Sequence, residues 1–276
     1  MRSTRMTAIA AGVVIMVAGL SACNDKGGDG DKAGGSTGGS SSTGGSTGGS
    51  GSSSSSGVAD ALKAAQSATD AKKTVQVDTT KKMGTGTATS KGGVDWNDGV
   101  QMNVEISMSG GKGKPMKTLY TKDAVYTNLG MAIGGKSWMK TSFADLAKKP
   151  GGAATQELVA TAKPSQSIEW LLTAKDLKAV GKEDVKGVEA THYSGTISYD
   201  VEAKGLSPEA QEALKKQLAA SKVKSQKLDI WIDSENLLVK QQAESGGSTG
   251  TSYYSGYGTK VDVTPPPASD VMEQHG

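Results

Sequence analysis

Arginine is nearly missing from this 276-residue chain: Arg2 and Arg5 are the only two, and both precede residue 6. Beyond them the chain holds 29 Lys against 28 acidic residues, so its net charge is close to zero. A planar, always-charged guanidinium is the preferred clamp for phosphates and carboxylates. Without it, and without a basic excess, nucleic-acid recognition is disfavoured. Cysteine is present once, at Cys23, which excludes an internal disulfide and any Cys-rich zinc site. The two histidines, His192 and His275, are too far apart in sequence for the usual His-rich metal motifs. Aromatic residues make up 4% of the chain, with Phe143 the single phenylalanine. The sequence implies no metal and no cofactor, and it gives no enzyme signature.

The N-terminus reads as an export signal. Arg2 and Arg5 are followed by an uncharged, mostly apolar run from Met6 to Leu20. That is 15 residues, short of the roughly 20 a spanning helix needs. The run ends in Leu20-Ser21-Ala22-Cys23, which resembles the lipobox of bacterial lipoproteins. In that motif the Cys receives a diacylglycerol on its sulfur and becomes the new N-terminus. Residues 1–22 are thus expected to be a lipoprotein signal peptide, and Cys23 the lipidation site. Two acyl chains on one residue anchor stably, whereas one binds reversibly. The expected location is the extracytoplasmic face of the cell membrane, with the protein lipid-anchored through Cys23.

Residues 23–57 read as a tether. From Gly34 to Gly57 the chain contains only Gly, Ser and Thr, so it has no side chains with which to form a core. A flexible coil of 34 residues has a root-mean-square span of about 30 Å. The rest, 58–276, reads as one domain.

That domain opens with a helix, because Val58, Ala61, Leu62, Ala65 and Ala68 recur at three- and four-residue spacing. A two-residue period comes next. In the stretch 100–108, Val100, Met102, Val104, Ile106 and Met108 alternate with polar residues, so one side of a strand is apolar and the other wet. Further strands are expected at 74–80, 85–89, 117–121, 124–128 and 136–141. Helical spacing returns over 155–174, broken by Pro164, and Ser207-Pro208-Glu209 is a strong helix start. A strand at 191–199, a hairpin of 227–233 with 237–244 and a last strand at 258–263 complete the domain, and Pro265-Pro266-Pro267 is expected to end regular structure. The order of elements predicts an α+β fold: a single curved antiparallel β-sheet with helices on one face.

Four stretches carry a resemblance. They are DAVYTNLGMAIGGKSWMK (123–140), VKGVEATHYSGTISYD (185–200), KLDIWIDSENLLVKQQ (227–242) and YYSGYGTKVDVTPPPASDV (253–271). Together with the lipobox and the opening helix, they resemble the actinobacterial LppX/LprAFG-type lipoproteins. That resemblance implies a fold similar to the bacterial lipoprotein carriers LolA and LolB: an incomplete barrel of antiparallel strands with helices covering the concave face. It also implies an apolar cavity between sheet and helices that takes an acyl lipid or glycolipid. The residues expected to line it are Met102, Val104, Ile106, Met108, Leu119, Leu158, Leu171, Leu214, Ile230 and Ile232. The function so implied is binding or carriage of acyl lipids without covalent chemistry. The alternative is a cell-envelope structural, interaction or sensor-partner domain of the same fold with a filled core. Partners are then the membrane, through Cys23, and a lipid ligand; no nucleic acid is implied, and the sequence identifies no protein partner.

The residues leave the cavity open. Seven methionines (83, 102, 108, 116, 131, 139 and 272) lie beyond the signal. Flexible, polarizable Met suits a site for variable acyl chains, yet it also fills ordinary core gaps. Gly130 to Ser137 satisfies the phosphate-loop pattern GxxxxGK[ST]. That loop needs a helix starting at its Lys, whereas here a returning strand is expected. Ser-x-x-Lys recurs at Ser109, Ser137 and Ser221 without the companion motifs of an acyltransferase. His192 falls on the polar side of its strand and reads as a surface histidine rather than a base. Asp229 and Asp233 share one side of theirs; two carboxylates there could serve acid/base work or hold a cation, and outward-facing charges on a half-exposed sheet explain them as well.

Overall fold

A computed structural model describes residues 55–273, apart from 111–113, 149–151, 161, 203–205, 213–214 and 216–223. The signal, Cys23, nearly all of the tether, Leu214 and His275 therefore lie outside the described residues.

Helix α1 (Ser55–Ala71) precedes six strands: β1 (Thr74–Met83), β2 (Gly86–Asp95), β3 (Gln101–Met108), β4 (Met116–Tyr120), β5 (Ala124–Asn128) and β6 (Trp138–Ser142). Helices α2 (Phe143–Ala147), α3 (Gly152–Ala160) and α4 (Pro164–Leu171) come next. Then come β7 (Lys178–Val185), β8 (Val188–Ser198), α5 (Tyr199–Glu202), β9 (Ser225–Asp233), β10 (Leu238–Ser245), β11 (Ser248–Ser255) and β12 (Val271–Glu273). The strands form one open, curved sheet in the order β12-β6-β5-β4-β3-β2-β1-β11-β10-β9-β8-β7. Every pairing is antiparallel except β12 with β6. The predicted α+β class, with one antiparallel sheet covered by helices, is what the chain adopts.

The register follows the apolar alternation. Val75 opposes Val94, Val94 opposes Met102 and Met102 opposes Tyr120, so one face of four strands is continuous. Across the β1–β11 junction the same face carries Val77, Tyr254, Gln241, Ile230 and Tyr193. Helices α1 and α4 bury Val58, Leu62, Ala65, Ile168 and Leu171 against it. Pro164 does break the helical stretch, as the first residue of α4, behind an extended Lys163. The Asp70 carboxylate, at the end of α1, ties the two helices together by accepting from Ser165 Oγ at 3.2 Å and Lys163 Nζ at 3.5 Å. Gly195 on β8 lets α4 come close: a Cβ there would meet Ala174 Cβ at 2.7 Å and Leu171 Cδ1 at 3.0 Å.

Several expectations change. α1 begins at Ser55, three residues inside the composition-defined tether. Residues 258–263 are not the last strand. They form a strap over the sheet's other face, where Val261 is buried against Gly93 and the carbonyl of Asp262 accepts from Asn103 Nδ2 at 2.6 Å. The pairing partner of β1 is instead β11, built from the polar run STGTSYYS. Pro265-Pro266-Pro267 does not end regular structure, since β12 lies beyond it. Strand β7 has no counterpart among the expected strands because it is a sheet edge, exposed at every residue but Val185, and its charged sequence has no alternation.

Candidate functional site

The covered face is where the fold gathers most of the residues expected to meet a ligand. Met102, Val104 and Ile106 on β3, Ile230 and Ile232 on β9 and Leu171 on α4 are all buried in one cluster. Met108 continues the β3 alternation but stands exposed at the strand's end. Leu119 is a correction. Met102 pairs with Tyr120 and Val104 with Thr118, so Tyr120 and Thr118 take the covered face of β4, and Leu119, opposite Asn103, points away from the helices. The side chain of Leu158 and all of Leu214 lie outside the described residues.

Beneath α1 and α4 the layers interlock. A half-open pocket at the start of α4 has a volume of about 20 Å³ and is bounded by Val77, Val94, Pro164, Gln241 and Tyr254 among others. That accommodates roughly one water and no alkyl chain. Tyr254 donates to Gln241 Oε1 at 3.0 Å, and burial pushes its phenol well above the ordinary tyrosine range.

Among the described residues the cover thins toward the β12 edge. Continuing the register from Thr118 and Tyr120, the same face of β5, β6 and β12 presents Val125, Thr127, Met139, Thr141 and Met272. Met116, Val125, Met139 and Met272 are only half-buried. An apolar strip thus runs from the packed centre at Met102 to a partly open end rich in methionine. The sequence shows these methionines, but it cannot place four of them (102, 116, 139 and 272) on one face, since that requires the pairing register.

On the opposite face His192 is not the simple surface group expected. Its Nδ1 lies 2.8 Å from Glu183 Oε1 and its Nε2 2.8 Å from Asp229 Oδ1. The ring stacks on Trp231 at 4.2 Å, and Lys240 Nζ sits 3.6 Å from the centre of the Trp231 ring. The indole N–H donates to Glu183 Oε2 at 2.8 Å. Burial alone would raise the Asp229 carboxyl, but hydrogen bonds from Lys227, Ser194 and His192 hold it below the ordinary range. Hydrogen bonds from Trp231 and His192 do the same for Glu183. Both imidazole nitrogens are occupied, so neither is presented to a substrate. This cluster is a cross-strand clamp of β7, β8, β9 and β10 rather than a base poised for catalysis.

The phosphate-loop match is a hairpin. Ile133 and Lys136 bridge across Gly134 and Gly135, both at positive φ, and β6 rather than a helix comes next. Among the described residues no group of three or more His, Cys, Asp or Glu is placed to hold a metal, and no helix is long and apolar enough to cross a membrane.

Comparison with known proteins agrees with this architecture. No family model matches the chain. An uncharacterized 31.2 kDa protein of Streptomyces griseus is 36% identical over 218 residues, covering 71% of this chain and 72% of that one. A putative lipoprotein of Streptomyces coelicolor is 30% identical over 201 residues, covering 66% of this chain and 62% of its own. The crystal structure of the Mycobacterium tuberculosis lipoprotein LppX superimposes with a TM-score of 0.51 at 16% identity, covering 76% of this chain and all of LppX. At that identity the likeness to LppX is one of fold. The chain belongs to the family of the S. griseus protein, and it has the fold of LppX.

Proposed function

We propose that the protein is an extracytoplasmic lipoprotein, anchored through Cys23, that binds an acyl lipid by desolvating its hydrocarbon and performs no covalent chemistry. The observation that carries this reading is the apolar strip that outruns its helical cover: Met116, Val125, Met139 and Met272 continue the face of Met102 yet are only half-buried. An acyl chain laid along that strip would cover these side chains and complete the core. Each buried methylene contributes about 0.8 kcal/mol, so affinity should rise about fourfold per added carbon until the strip is filled. Because the centre is packed, the site lies toward β4, β5, β6 and β12 rather than beneath α1 and α4.

The second reading, a filled interaction domain of the same fold, is favoured by the small volume, about 20 Å³, of the pocket at the start of α4. Titration with a fluorescent fatty acid such as cis-parinaric acid separates the two. Saturable binding that strengthens with chain length in competing fatty acids, and weakens at least tenfold in Met139→Gln, supports carriage. Absence of saturable binding supports the filled domain.

A further inference from the structure

The described residues expose six large hydrophobic side chains: Met108, Leu129, Met131, Ile133, Val180 and Val188. Four of them gather at one end of the sheet. Met83 pairs with Gly86, Ala88 with Met108, Ile106 with Met116, Lys117 with Asn128 and Thr127 with Met139. The β1–β2 turn, the β3–β4 loop and the β5–β6 loop therefore share one rim. Met108 leaves β3 there at 54% exposure, and Met131 stands at 65% on the β5–β6 loop between Leu129 and Ile133. The two loops touch, since a Cβ on Gly130 would lie 2.8 Å from the Lys114 carbonyl oxygen. The β5–β6 loop is braced on its far side by Lys136 Nζ donating to Ser269 O and Ser137 N donating to Asp270 Oδ1, each at 2.8 Å. The apolar tips are thus carried on a supported platform.

Lys82, Lys114 and Lys117 are exposed at this rim, where Glu105 and Asp270 are the neighbouring acids. The opposite rim, formed by the other ends of the same strands, carries Asp95, Asp98 and Asp123 with Lys72, Lys73 and Lys122 among them. One end is therefore apolar and lysine-flanked, and the other is polar with acids and lysines interspersed.

We propose that the rim of Met108, Leu129, Met131 and Ile133 docks onto an anionic lipid surface, the apolar tips entering the headgroup region while the lysines meet lipid phosphates. Apolar tips with flanking Lys are the composition that interfacial binding selects. The opposite rim of these strands, where no large hydrophobic side chain is exposed among the described residues, then faces away from the membrane. A contact this small is weak by itself. The stretch expected to link Cys23 to Ser55 would hold the domain within tens of ångströms of the bilayer, and at that effective concentration a weak contact is populated. The inference does not depend on acyl binding by the interior, and a domain that repeatedly proved empty of lipid would leave it standing.

The test uses the lipidated protein reconstituted in vesicles of phosphatidylethanolamine with 30% phosphatidylglycerol. Because the Cys23 sulfur carries the anchor, a bimane label reports from Met131→Cys or, on the opposite rim, from Asp98→Cys. Shallow doxyl-lipid should quench the label at 131 at least twofold more than at 98, and the difference should collapse in phosphatidylcholine vesicles or 0.5 M salt. Equal quenching at the two sites, no quenching at either, or a difference indifferent to lipid charge overturns the proposal. No quenching at 131 would leave the rim to a protein partner instead.

Discussion

His192 Nε2 lies 2.8 Å from Asp229 Oδ1, and that carboxylate is 2% exposed while its other oxygen meets Lys227 Nζ at 2.9 Å. Asp229 is therefore the one largely buried charge in a clamp whose partners reach it from two strands. Replacing it removes the acceptor while leaving Lys227, 54% exposed, its contact with water, which softens the loss. Asp229→Asn should destabilise the fold by about 1–2 kcal/mol, read as a lower urea midpoint with an unchanged slope. A midpoint equal to that of the unaltered protein would remove the clamp from the account.

The same pair predicts an acid response. Glu183 and Asp229 both titrate lower in the folded protein than as free side chains. Their contribution is complete above the unfolded carboxylate value, about pH 4, and is lost as pH falls through the folded values. Between pH 7 and 3 the unaltered protein should lose more stability than a Glu183→Gln, Asp229→Asn double variant, as urea titrations at each pH would show. Parallel loss in both proteins would contradict the assignment.

Gly195 makes the approach of α4 to β8 testable. A side chain at 195 would displace Leu171 or Ala174, and overpacking of this kind costs about 1–3 kcal/mol. Gly195→Val should lower the thermal midpoint by several degrees while hydrogen exchange speeds up first in α4. Uniform exchange across the domain would mean that α4 is not separately held.

Alternation decides how much of this architecture is legible in the sequence. VQMNVEISMS announces β3 and its apolar face because every second residue is apolar, and Pro164 marks the start of α4 by its own chemistry. Where alternation fails, the strands go unread. β7 is an exposed edge with no inward face to mark it, β11 buries only Ser252 and Tyr254, and Leu119 reads as an inward residue because its neighbour Tyr120 is also apolar. His192 is legible as facing away from the helices but not as clamped, since its acids come from β7 and β9, 9 and 37 residues away. The methionine strip needs four strand pairings at once.

The anchor is tested at its only cysteine. Cys23→Ala should abolish metabolic labelling with an alkyne fatty acid and release the chain from the membrane fraction of the producing cell. Retention of label would place the lipid elsewhere.

The central claim, that the half-covered strip at Met116, Met139 and Met272 holds hydrocarbon, is met most directly by native mass spectrometry of the protein released gently from the membranes of its producing cell, with the anchor cleaved off in the tether. The account predicts a population heavier than the polypeptide by the mass of an acyl lipid, and its loss in Met139→Gln. Protein that is repeatedly bare, from cells whose lipids are intact, would contradict it.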